Sequence, residues 1–76
     1  MNMQNTEELL LSGKEALVKK NIERSIELFT EVLKIDPENF SAIFSRGTAY
    51  FLNNLYQEAL DDFTRGISLK ADSSKL

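Results

Sequence analysis

A chain of 76 residues with 42% apolar and 28% charged side chains has the composition of one small globular domain, not of a disordered segment. It contains neither Cys nor His, which excludes disulfides and leaves no ligand set for a structural zinc or iron–sulfur site, so no metal and no cofactor are expected. Twelve acids against nine bases give a net charge of −3, and the only adjacent bases are Lys19 and Lys20, so nucleic acid is not an expected partner.

In chain order, Met1-Asn2-Met3-Gln4-Asn5 has no basic or apolar stretch and reads as a short tail, not a secretory signal. Apolar residues then recur at helical spacing: Leu9, Gly13, Ala16 and Leu17 first, followed by Ile22, Ile26, Phe29 and Leu33. A second pair of runs follows, Ile43, Gly47, Tyr50 and Phe51, then Tyr56, Leu60, Phe63 and Ile67. These predict helices at about 6–19, 22–35, 40–53 and 55–69, with no strand. Asn5 or Thr6 is a candidate N-cap for the first helix, with Glu8 placed for a capping box, and Lys19-Lys20 falls in its last turn. Asn21 and Asn39 are candidate caps for the second and third helices, Pro37 ends the second, and the third frays at Asn53-Asn54. The longest apolar run, Ala49 to Leu52, is far short of the ~20 residues of a membrane span, so no membrane partner is expected.

Sliding the sequence on itself until Gly13 meets Gly47 also aligns Phe29 with Phe63 and Thr30 with Thr64. In the same register apolar residues pair with apolar, as in Leu9/Ile43, Leu10/Phe44, Leu17/Phe51, Ile22/Tyr56, Ile26/Leu60 and Leu33/Ile67, and small Ser25 pairs with Ala59. The chain is therefore two copies of one helical hairpin. Gly13, Gly47, Ser25 and Ala59 mark where the helices of a hairpin can approach closely, with Phe29 and Phe63 filling the space beside them.

The second copy reads Ile43-x2-Arg46-Gly47-x2-Tyr50 and then Ala59-x3-Phe63; the first carries Leu9, Ser12-Gly13, Ala16, Ser25, Phe29 and Pro37 at the same places. This pattern resembles the tetratricopeptide repeat (TPR), a helix–turn–helix unit with the pattern W-x2-L-G-x2-Y…A-x3-F…P and the same period. Both copies lack the Trp, and the second has Ala71 where the Pro would fall. The resemblance covers nearly the whole chain and implies an all-α fold of two stacked helix-turn-helix hairpins, a short right-handed solenoid. Residues 1–5 form a tail, 6–39 a first repeat, 40–73 a second, and 74–76 a tail or the start of a truncated third repeat.

Nothing in the sequence points to catalysis. The carboxylate pairs Glu7-Glu8, Glu23/Glu27, Glu27/Glu31 and Asp61-Asp62 fall mainly on outward polar faces, where solubility accounts for them, and no enzyme is expected. The resemblance implies instead a non-catalytic protein-interaction module, an adaptor or scaffold, with a concave groove lined by the first helix of each repeat. Here that surface runs through Leu10, Lys14 and Leu17, then Phe44, Thr48 and Phe51, each trio an i, i+4, i+7 stripe. An apolar or amphipathic peptide is the expected ligand, with Lys14, Thr48 and Arg46 setting its register. The alternative is that a neighbouring helix or a second chain buries this stripe. Chaperone-binding TPRs grip a terminal carboxylate with Lys and Asn side chains, but the matching positions are Leu10, Lys14 and Ser45, so a carboxylate clamp is not expected.

Repeat stacks need polar capping helices, and after Leu69 only a polar tail is expected. Another copy of the chain, a partner protein or further repeats would have to cover the last helix; a self-assembling homodimer or stack is thus the competing reading. The default location is cytoplasmic. Ser74-Lys75-Leu76 also spells the peroxisomal address S-K-L, which as a natural C-terminus would make this a small peroxisomal matrix protein, while Asp72-Ser73-Ser74 reads as a helix start.

Overall fold

The structure, a computed structural model, describes residues 5–74 and, of these, the side chains of 5–71. Four helices account for nearly all of it: α1 (Thr6–Val18), α2 (Ile22–Ile35), α3 (Phe40–Leu52) and α4 (Tyr56–Ser74), with no strand among the described residues. The register that pairs Gly13 with Gly47 also pairs Thr6 with Phe40, Val18 with Leu52 and Ile22 with Tyr56. Helix α3 thus begins and ends where α1 does, and α4 begins where α2 does, so the internal repeat is a repeat of structure.

The N-caps of α1 and α3 are equivalent. Asn5 Oδ1 accepts the Glu7 amide at 2.8 Å, and Asn39 Oδ1 accepts the Ala42 amide at 2.9 Å, each meeting a donor that the helix leaves without a partner. Asn21, expected to cap α2, makes no side-chain cap bond. Its amide is instead used to close α1, donating to Ala16 O at 2.8 Å while the Lys20 amide donates to Leu17 O. Leu55 and Asn54 repeat both bonds on Tyr50 and Phe51. This paired closure requires a left-handed residue, and Lys20 and Asn54, equivalent in the two repeats, have φ of 68° and 65°. Lys19 and Lys20 therefore lie beyond the last turn of α1, contrary to expectation. Pro37 follows Asp36, the C-cap of α2, as expected.

Packing is sequential: α1 on α2, α2 on α3, α3 on α4, with a slight α1–α3 contact, so two helical hairpins stack into a slab of 36 × 35 × 16 Å. The two glycine–phenylalanine pairs set the closest approach within each hairpin. A Cβ on Gly13 would lie 2.6 Å from Phe29 Cε1, and one on Gly47 would lie 2.7 Å from Phe63 Cε1, so each ring occupies the volume a side chain would need. Around them Ser25, Phe29, Val32, Ala42, Ile43, Ala49 and Ala59 are buried. Ser25 donates its hydroxyl proton to Ile22 O at 2.6 Å, which satisfies it in the same position where α4 has Ala59.

Two expectations for the last helix fail. It runs to Ser74, not to Leu69, because no Pro or Gly follows Gly66 to end it, and Asp72–Ser74 continue it instead of opening a new helix. Lys75 and Leu76 lie outside the described residues.

Candidate functional site

The two stripes expected to bind a partner occupy equivalent positions on α1 and α3. On α1, Leu10 and Leu17 are half-buried and Lys14 is exposed, with no ion pair or hydrogen bond among the described residues. On α3, Phe51 is 54% exposed and Phe44 is 38% exposed, with Thr48 exposed between them. Thr48 donates its hydroxyl proton back to Phe44 O at 3.0 Å, one turn earlier, which satisfies that hydroxyl within α3.

The aromatic residues of this surface are anchored from α4 and α3. Phe44 stands between Phe40, edge-on at 5.0 Å between centroids, and Phe63 at 5.3 Å, while Phe51 meets Tyr56 edge-on at 5.4 Å. Lys70 lies 4.8 Å above the Phe40 ring. Phe44 is thus part of the α3–α4 seam as well as of the surface, whereas Phe51 lies near its outer edge. Leu11 and Val18 of α1 and Leu52 of α3 are also substantially exposed, as is Leu55 in the connection between α3 and α4.

Arg46, expected to set a ligand's register, is held within the fold. Its Nε and Nη2 donate to the two carboxylate oxygens of Asp62 at 2.8 and 2.9 Å, and Nη1 donates to Thr30 Oγ1 at 3.2 Å. The guanidinium also lies 5.5 Å from the centre of the Tyr50 ring. Three helices meet at this one side chain: α3 supplies Arg46, α4 the carboxylate and α2 the hydroxyl. The hydrogen bond to Asp62 holds Arg46 above its ordinary pKa, outweighing the desolvation that pulls it down, so the cation persists at every accessible pH.

Asp62 departs from its expected place. The sequence sets it on an outward polar face beside Asp61, but it is only 5% exposed. Two signals mark it as inward. Its equivalent in the first repeat is Leu28, a core residue, and Arg46 and Asp62 immediately precede Gly47 and Phe63, which the repeat already sets face to face. The remaining acids behave as expected. Glu7, Glu8, Glu23, Glu27, Glu31 and Asp61 are exposed, and Glu27 and Glu31 make only solvent-facing pairs with Arg24 and Lys34. No group of three metal-ligating side chains occurs among the described residues, and no helix there is long and apolar enough to cross a membrane.

No family model matches the chain. Tetratricopeptide repeat protein 36 of Caenorhabditis elegans is 39% identical over 54 residues, which cover 71% of this chain and 30% of that protein. DnaJ homolog subfamily C member 3 of Gallus gallus is 41% identical over 39 residues, 51% of this chain and 8% of that protein. The Rattus norvegicus protein of the same name is 36% identical over 39 residues, with the same two shares. The chain spans less than a third of the length of these relatives. In sequence and in its paired helices the chain is TPR-like.

Proposed function

We propose that this TPR-like chain is a protein-interaction module that takes an apolar or amphipathic peptide segment along α1 and α3. The observation that carries the reading is the exposure of Phe51 and Phe44 in register with Leu10 and Leu17 one repeat earlier, on a strip whose single charge is Lys14. Aromatic side chains held by their neighbours lose little entropy on binding, so they supply most of the affinity. Lys14, unpaired, favours an acidic residue in the ligand opposite the first repeat, whereas the Thr48 hydroxyl opposite the second is already engaged by Phe44 O. Arg46 plays no direct part, because three of its five donors hold it to Asp62 and Thr30 within the fold.

Selection from a phage-displayed random peptide library tests the reading. The expected winners are rich in Leu, Phe and Trp, carry an acidic residue, bind the chain, and lose binding to Phe51→Glu and Leu17→Glu variants of unchanged helicity. Peptides that bind these variants as well as the parent chain would place the site elsewhere.

A further inference from the structure

The two halves of the α1–α3 surface are alike in position and unlike in chemistry. Leu10, Lys14 and Leu17 of α1 coincide with Phe44, Thr48 and Phe51 of α3 in the register that also matches the ends of the two helices. Equivalent residues of a structural repeat project in equivalent directions, so each difference between the trios is presented to the ligand. Over α1 the apolar pair is aliphatic and half-buried, and a cation stands between its members. Over α3 the pair is aromatic and more exposed, and the residue between them is neutral, its hydroxyl engaged by Phe44 O.

Lys14 is left free by the fold. It is exposed and has no ion pair or hydrogen bond among the described residues. Glu7, on the same side of α1, stands seven residues earlier, about 10 Å along the axis, too far to neutralise it. The cations near α3 are both engaged: Lys70 lies 4.8 Å above the Phe40 ring, and Arg46 is held by Asp62 and Thr30. Each short connection reverses the chain, so α1 and α3 run parallel, and they are in contact, which sets their stripes about 10 Å apart. The surface is thus basic over its first helix and aromatic over its second. A chain-terminal carboxylate needs several convergent donors to be held, and Lys14 is a single one, so the complementary group is an acidic side chain within the ligand.

We infer that Lys14 is the specificity-determining residue of this surface and that its ligand is two-part. An Asp or Glu side chain sits over α1, about 10 Å from a bulky apolar residue seated against Phe44 and Phe51 of α3. This specificity presupposes that the α1–α3 surface is the peptide site. Fluorescence anisotropy of a labelled, library-selected peptide with the full chain tests it. Replacing the peptide's acid by Lys weakens binding about five- to tenfold, and Lys14→Glu weakens the parent peptide as much. Lys14→Glu with the Lys-substituted peptide recovers most of the affinity, since the charges are then exchanged and not lost. Lys70→Glu leaves the preference for the acid unchanged, and amidating the peptide's C-terminus has no effect. Selected peptides with no enriched acid overturn the inference. So does a Lys14→Glu chain that still prefers the acid, a preference that follows Lys70 instead, or binding abolished by amidation. Phe51→Glu and Leu17→Glu report on the surface itself. Binding lost in those variants, with no exchange of preference at Lys14, leaves the proposed function standing while this specificity falls.

Discussion

Replacing Asp62 by Ala leaves the Arg46 guanidinium with Thr30 as its one side-chain acceptor. The two bonds to Asp62 are short and parallel, and the side chains of Arg46 and Asp62 are 21% and 8% exposed. Breaking a buried pair by removing one partner costs ~3–5 kcal/mol. Because Arg46 keeps a fifth of its surface in water, which can take over part of the solvation, about 2–3 kcal/mol is the expected loss here. A domain of this size has roughly 4–11 kcal/mol to lose, so the variant still folds but with a visibly lower midpoint. At a urea dependence of ~1 kcal/mol/M the midpoint falls by about 2–3 M, followed by far-ultraviolet circular dichroism. Arg46→Leu/Asp62→Leu should recover most of the loss, since an apolar pair of similar volume removes the stranded charge. A loss below about 0.5 kcal/mol in Asp62→Ala, the value of an exposed pair, would refute the buried-pair reasoning, as would two single losses that simply add in the double variant.

Further outcomes follow from the repeat geometry. Gly13→Ala should destabilise by about 1–3 kcal/mol and by more than Gly47→Ala, because the ring it strikes, Phe29, is fully buried whereas Phe63 is half-buried and can give way; urea titration of both variants decides it. Lys20→Gly should stabilise by about 1 kcal/mol in the same titration, since Lys20 holds φ at 68° where a Cβ is unfavourable, whereas Asn54→Gly gains less because Asn tolerates that region. Arg46 contributes no pH dependence between about pH 5 and 9: its folded pKa is raised, so its contribution is complete below the ordinary guanidinium range and is lost only as pH rises beyond that range. A pH-dependent loss that disappears in Arg46→Leu would contradict this.

The helices and their repeat were legible because apolar spacing, Asn5, Asn39 and Pro37 all point the same way, and local signals of that kind survive tertiary packing. Less was legible where one position serves two ends. Asn21 reads as a cap, yet its backbone is used to finish the helix before it. Leu60 and Ile67 continue the apolar period of Phe63, and the period alone cannot say that α4 has a helix on only one flank. Leu28 and Val32 escaped the core assignment for the converse reason: α2 is covered on two sides and buries a wider arc than one stripe. Of the surface residues, Phe51 is exposed, while Phe44 is shared with the α3–α4 seam and Arg46 is drawn into a three-helix junction. That junction joins residues on three different helices, a relation that periodicity within one helix does not report.

The central claim, a peptide-binding surface on α1 and α3, is tested most directly by amide shift mapping of the isotope-labelled chain titrated with a peptide selected from the library. Perturbations are expected to centre on Leu10, Lys14 and Leu17 of α1 and on Phe44, Thr48 and Phe51 of α3, with Leu60 and Ile67 unmoved. Perturbations confined to α4, or spread evenly over all four helices, would contradict the claim.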